Sequence, residues 1–427
     1  MSKTPRILLT AFGSEGDLLP MVALAQALGD RGAVAVVGSS LSHREKVASH
    51  GIDFIALGPD MPDLTVEKNL AAKLLDPKSG AQNIVELIAM RHLARSYEDT
   101  LAAASQGFDA LVGSALAMAT PLVSKKLGIP WASAVYQPMA FMSAYDPPTL
   151  PMAPWLDFLH GWGRLGVAAR KALFEHGMRS TRPWFAEYRR LAGGLGLEAE
   201  ADPLFDAARS PWLSLAMFSA SMGLPQPDWP KSVVQTGFPI ARQQGGSLAP
   251  ELWDFLNAGP APFVFTLGTA AVHAAEGFYE ASRDAASALG ARAVFLTGER
   301  GANAMAGLPA TMMALPYADH AALFARSAAV VHSCGIGTCA KSLIAGVPVL
   351  AVPWAHDQPD NARRLCALGV ARIVPRKAYG ARSAERALGE LLMDPRYREA
   401  AKRAAREHAR CDGAAAAADA LLKRLDR

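Results

Sequence analysis

Four short stretches hold the side chains that could do chemistry. In Phe12-Gly-Ser-Glu-Gly-Asp17-Leu-Leu-Pro20, glycines let the backbone turn tightly and an acid follows them. This is not the G-x-G-x-x-G of a dinucleotide fold, and a carboxylate here repels phosphate. At the carboxyl edge of a parallel sheet Asp17 can serve as a general base. It can equally cap a helix beginning near Leu18. In His332-Ser-Cys-Gly335-Ile-Gly337-Thr338, glycines at a helix N-terminus leave backbone N–H groups free for an anion. His332 and Thr338 add side-chain donors, so the stretch reads as a diphosphate cradle or as a plain strand-to-helix turn. In Val352-Pro-Trp-Ala-His356-Asp357-Gln358-Pro-Asp360-Asn361, carboxylate and amide groups suit adjacent hydroxyls, unless the acids merely cap a helix. In Leu315-Pro-Tyr317-Ala-Asp-His320, Tyr317 can stack on a flat base or sit in a core, and His320 reads as a cap.

The elements that must position these residues alternate. Arg6–Phe12 is a continuous apolar run, as for a strand buried on both faces. Leu18–Gly29 has helical spacing, and Ala33–Gly38 reads as the next strand, which completes a βαβ unit. Further strands are expected at 110–113 and 130–135, then at 262–268, 293–297, 329–332 and 347–352. The stretch 147–196 differs: it is helical, carries Trp155, Trp162 and Trp184, and has a basic excess. Residues 221–244 are rich in Pro and Gly and read as a connection. The organisation expected is an N-terminal domain over 1–220, this connection, a second domain over 245–405 and a terminal helix over 406–427.

Composition excludes several classes. Of 427 residues, 51 % are hydrophobic and 19 % charged, which rules out a mainly disordered chain. A net charge of +4 gives no bulk argument for nucleic acid. The cysteines Cys334, Cys339, Cys366 and Cys411 form no C-x-x-C pair, so neither a disulfide framework nor a structural zinc is expected. No signal-peptide core and no apolar run of spanning length is present, and a cytoplasmic protein is expected.

In this order, the stretches resemble the GT-B glycosyltransferases of family 1. The resemblance rests on Ile336-Gly-Thr338, Gly346-Val-Pro348 and Asp357-Gln358. With Thr236-Gly-Phe-Pro239, Val294-Phe-Leu-Thr-Gly298 and Asp360-Asn-Ala362, it is strongest toward bacterial rhamnosyltransferases of rhamnolipid synthesis. The resemblance implies two Rossmann-like domains facing across a cleft, with a C-terminal helix crossing back to the first. It implies Asp17 as the base and a diphosphate held by His332, Gly335, Gly337 and Thr338. Asp357 and Gln358 would bind sugar hydroxyls, Tyr317 would stack on the base with the Ala318 main chain at its edge, and Gly268 and Thr269 would lie below the phosphates. Displacement would invert the anomeric centre, with no metal and no cofactor besides the nucleotide-sugar co-substrate.

Two departures from the family pattern stand out. Cys334 replaces a common Gly. Lys341 stands where many members carry a Glu that binds ribose hydroxyls, and a deoxyribose has no 2′-hydroxyl to bind. The expected donor is therefore a dTDP-sugar, dTDP-L-rhamnose first, rather than a UDP-sugar. The acceptor would be an apolar hydroxylated molecule, a 3-(3-hydroxyalkanoyloxy)alkanoic acid first and a polyketide or other natural product second. It would lie in a groove lined by Met139, Phe141, Trp155 and Trp162, with the basic excess meeting a carboxylate or the inner face of a membrane. A sugar-nucleotide epimerase and a non-catalytic auxiliary subunit are the readings from other classes.

Overall fold

A computed structural model of the chain describes residues 4–58, 60, 67–154, 161–163, 166–200, 202–206, 208–243, 248–267, 277–298, 305 and 307–426. Thirteen strands form two wholly parallel sheets among these residues. The first contains β1 (Arg6–Thr10), β2 (Val34–Ser39), β3 (Asp53–Ala56), β4 (Ala110–Gly113), β5 (Trp131–Val135), β6 (Leu213–Ala216) and β7 (Val233–Gln235), in the order β3-β2-β1-β4-β5-β6-β7. The second contains β8 (Phe263–Thr266), β9 (Ala293–Leu296), β10 (Met312–Leu315), β11 (Ala329–His332), β12 (Val349–Ala351) and β13 (Ala371–Ile373), in the order β10-β9-β8-β11-β12-β13. Central strands such as β4, β8 and β11 are buried at every residue. That is why they are apolar without alternation.

Strand order reverses between β1 and β4 in the first sheet and between β8 and β11 in the second. Ligands of open parallel sheets bind outside the strands' carboxyl ends at such reversals. The Gly13–Asp17 turn leaves β1 at one of them, and the Ser333–Gly337 turn leaves β11 at the other.

The domains share material on both sides of the cleft. Val135, Phe141, Phe218 and Met222 of the first domain lie in one core with Cys339, Leu343, Ala362 and Leu365 of the second. The first sheet also runs on past residue 220, since β7 at 233–235 pairs with β6. The first domain is therefore longer than the sequence suggested. Helix Pro395–His408 packs on the second domain's helix Ile336–Ala345. The chain then crosses, and helix Gly413–Leu425 buries Ala414, Ala417, Ala418 and Leu421 in the first domain's core against helix Glu15–Gly29. Gly413 has to be glycine, because a Cβ there would lie 2.4 Å from the Gly237 carbonyl carbon. No helix among the described residues is long and apolar enough to cross a membrane.

Candidate active site

Asp17 is held by its own turn. The helix begins at Glu15, not near Leu18, and its N-cap is Ser14, whose hydroxyl accepts from the Gly16 N–H at 3.2 Å. Asp17 sits three residues on and returns a capping-box bond, accepting the Ser14 N–H at 3.1 Å. Gly13 at φ +131° makes room for this carboxylate, since a Cβ there would come within 2.4 Å of Oδ2. The Tyr136 hydroxyl donates to the Asp17 carbonyl at 3.1 Å and braces the turn from β5. Asp17 is half-buried. Burial raises its pKa from 3.8 to about 6, against the lowering effect of the Ser14 N–H, and the charge of Asp357 raises it further.

Asp357 reaches Asp17 electrostatically from the other domain. It is the N-cap residue of helix Gln358–Ala367, yet its side chain makes no capping bond. It accepts instead from Asn361 Nδ2 at 2.6 Å. The same Asn361 nitrogen donates to the Cys334 carbonyl at 2.9 Å, so one amide ties the loop after β12 to the loop after β11. Burial raises the Asp357 pKa to about 6, opposed by the Asn361 bond. Gln358 Oε1 accepts from the Trp354 and Ala355 N–H groups at 2.8 and 3.2 Å, which leaves its amide N–H groups as what it can offer a ligand. The spatially adjacent acid Asp360 is fully buried and belongs to an ion network, described below.

The loop after β11 is built as a helix N-terminus. Gly335 is the N-cap of Ile336–Ala345, and a Cβ on Gly335 or Gly337 would meet nothing within 4 Å, so both face open space. Thr338 is half-buried in the same first turn. His332 is placed differently from the expectation. Its ring is fully buried, Nδ1 accepts the Cys334 N–H at 3.0 Å, and Nε2 lies 3.2 Å from Ser342 Oγ. Burial lowers its pKa to about 3, so the ring stays neutral. Both nitrogens are engaged inside the protein, so His332 shapes the loop and does not present a donor to the cleft. The bond to Cys334 holds that residue at φ +67°, the left-handed region where glycine is the usual occupant. His332, Cys334 and Cys339 are the one potential metal-ligand group among the described residues, and the ring's two bonds already occupy its nitrogens.

At the loop after β10, Tyr317 is 48 % exposed and Lys46 of the first domain stands 5.2 Å from its ring centre. Gln243 Nε2 donates to the Tyr317 hydroxyl at 3.2 Å. Ala318 is buried beside it. His320 is no cap: Asp319 caps that short helix by accepting from the Ala322 N–H at 2.7 Å. The His320 ring is buried with neither nitrogen partnered in the protein, and burial lowers its pKa to about 3, with Lys341 next in effect. Lys341 is half-buried rather than solvated, between Asp319 of its own domain and Glu15 of the other, and burial lowers its pKa.

Gly268, Thr269 and Trp155 lie outside the described residues. Met139 is half-buried and Trp162 is 53 % exposed. Phe141 does not line a groove: it is 1 % exposed and stacks on Trp229 with ring centres 4.4 Å apart. Part of the basic excess is also structural, since Arg170 is buried and donates to the Ala144 and Gly163 carbonyls at 2.6 and 2.8 Å. Sequence reasoning gave no site role to Ser14, Tyr136 or Asn361. For Ser14 a signal existed, the Ser-x-x-Asp spacing of a capping box. For Tyr136 and Asn361 spacing offers none.

Comparison with known proteins agrees with this fold. Residues 7–145 match the glycosyltransferase family 28 N-terminal domain, and residues 282–419 match the erythromycin biosynthesis protein CIII-like C-terminal domain. The O-mycaminosyltylonolide 6-deoxyallosyltransferase of Streptomyces fradiae is 32 % identical over 87 % of this chain and 86 % of its own length. The vancomycin aglycone glucosyltransferase of Amycolatopsis orientalis is 30 % identical over 99 % of this chain and 98 % of its own. The crystal structure of the glycosyltransferase VinC in complex with dTDP superposes with a TM-score of 0.69 at 18 % identity, covering 99 % of this chain and all of that one. With two switch-point loops facing one cleft, and relatives of this identity along nearly its whole length, the chain belongs to the family 1 GT-B glycosyltransferases.

Proposed function

We propose that the chain transfers a sugar from a dTDP-sugar to a hydroxyl of an apolar natural-product acceptor, with inversion and without metal. The observation that carries this reading is the meeting of two half-buried carboxylates across the cleft, Asp17 from one switch point and Asp357 beside the other. In the proposed step Asp17 takes the acceptor proton as its oxygen attacks the anomeric carbon. The nucleoside diphosphate leaves from the opposite face, and the N–H groups of the Gly335–Thr338 turn meet the developing charge. Asp357 and Gln358 hold sugar hydroxyls, and Tyr317 stacks on the base.

The unpartnered His320 nitrogens and the half-buried Lys341 support a nucleotide in this corner, because buried polar groups without protein partners call for a ligand or water. A lysine cannot accept from ribose hydroxyls as a carboxylate does, which favours the deoxynucleotide. VinC holds dTDP, and the named relatives act on macrolide and glycopeptide scaffolds. They move a polyketide-like acceptor ahead of the hydroxyalkanoyloxyalkanoate expected from sequence.

The test is the thermal shift with dTDP and with UDP at equal concentration. Near 100 times Kd, a ligand stabilises by about 2.7 kcal/mol. A preference for dTDP that Lys341→Glu reverses supports the donor reading. A preference for UDP sinks the Lys341 argument, and no shift with either nucleotide sinks the nucleotide-sugar reading. Transfer is then assayed with dTDP-L-rhamnose first, against a macrolide aglycone and the hydroxyalkanoyloxyalkanoate.

A further inference from the structure

His356 has no part in the chemistry above, yet its geometry is unusual. It lies at φ +56°, a backbone conformation that residues with a Cβ avoid. Its ring faces the Leu74 carbonyl, at the end of the first domain's helix Lys68–Leu74. Gly80 completes the contact: a Cβ there would lie 2.5 Å from the Leu74 oxygen and 3.2 Å from the His356 ring. Only a glycine lets ring and carbonyl meet there. The two residues at this point face opposite ways. Leu74 lies in one small cluster with Phe12 of the Asp17 turn and Ile88, whereas Leu75 lies in the second domain's core, which includes Trp354. A strained residue held by its surroundings is a pointer to function. Here the strained residue immediately precedes Asp357.

We propose that His356 is a positioning residue that clasps the 67–83 segment of the first domain to the sugar-side loop of the second. The clasp makes the wall beside Asp17 and the loop carrying Asp357 and Gln358 close as one unit. It sets the sugar relative to the acceptor and leaves the nucleotide half of the donor site untouched. The proposal rests on the glycosyltransferase reading for its kinetic consequence, but not for its structural one.

The test compares His356→Gly, which relieves the backbone and removes the ring, with His356→Gln, which keeps an N–H of similar reach. Amide exchange is followed in the full-length protein without ligands. In His356→Gly, exchange across 74–83 should accelerate at least tenfold while the second sheet keeps its protection. Donor KM should rise about tenfold, with dTDP affinity within twofold of wild type. His356→Gln should restore most of both. If His356→Gly does not fold, His356→Leu replaces it as the variant of similar bulk without a donor. Exchange across 74–83 within twofold of wild type in the donor-less variant overturns the proposal. So does a glutamine variant as loose as that one. Exchange needs no turnover, so failure of the clasp and failure of the glycosyltransferase reading are told apart.

Discussion

Asp17→Asn should give a protein that is more stable and almost inactive, and the pH dependence of the gain is fixed by the structure. Asn keeps an oxygen to accept the Ser14 N–H, so the capping box survives while the charge is removed. Burial raises the Asp17 pKa from 3.8 to about 6, about two units, so the ionised carboxylate destabilises the fold. At ~1.4 kcal/mol per unit the full effect is about 3 kcal/mol. Half-burial leaves the group a face to solvent, and roughly 1–3 kcal/mol is the range to expect. The sign follows from linkage. A carboxyl with a raised folded-state pKa favours the fold below its unfolded value, and this contribution is lost as pH rises through about 6. The variant's advantage should therefore be near zero below pH 4, grow between 4 and 6, and be flat above 7. Thermal or urea unfolding at pH 4, 6 and 8 measures it. Turnover should fall by about 10²–10⁴-fold if Asp17 is the general base. An advantage that is largest in acid refutes the burial account, and unchanged turnover removes Asp17 from the mechanism.

Three further outcomes are expected. Asp357→Asn removes a charge that raises the Asp17 pKa, so the acid limb of kcat/KM against pH should move below about 6. The move should be smaller than the rise itself, because burial is the larger cause; an unmoved limb contradicts the coupling. Arg364→Leu should cost about 3 kcal/mol in urea unfolding, since it strips fully buried Asp360 of one of its two arginine partners, leaving Arg363 and the Thr149 N–H, and breaks the bonds across to the first domain. Arg364 also donates to Asp146 at 2.6 Å and the Met222 carbonyl at 2.7 Å, both in the first domain, and a loss under about 1 kcal/mol would show that this network does not hold the domains together. Phe141→Ala should cost about 3–5 kcal/mol as a core truncation, whereas Trp162→Ala should change stability by less than about 1 kcal/mol and raise acceptor KM. The opposite pattern would return Phe141 to the acceptor groove.

The doubly buried strands were readable because burial on both faces leaves an apolar run with no alternation, as in β1, β8 and β11. The edge strands were not. β3 and β7 are only partly covered and carry mixed residues, so neither periodicity appears. β6 is fully buried but only four residues long, between the helical stretch ending at 196 and the connection beginning at 221, where no strand was expected. At the site, residue order placed both switch-point loops in one cleft, because each follows a recognisable strand. Side-chain direction did not follow from order. His332 ends a strand, where a polar residue looks presented to a ligand, but Ser342 from the following helix and the Cys334 N–H capture its ring. Phe141 lies in a short turn whose aromatic content suggested a groove, and Trp229, far along the chain, covers it. The His356–Leu74 contact joins two domains across the whole intervening sequence, and no local pattern encodes it.

The crossing of helix Gly413–Leu425 bears on how the chain is made. Four of its apolar residues complete the core around helix Glu15–Gly29. During synthesis the first domain emerges well ahead of this helix, and the entire second domain is made in between. Domains commonly fold in order of emergence. This one must wait with one side of helix Glu15–Gly29 uncovered, because the helix that packs on it does not yet exist. The nascent first half is then a natural client for chaperones. Truncating the chain before Asp412 should damage the domain farthest from the cut in sequence, leaving the adjacent one largely intact.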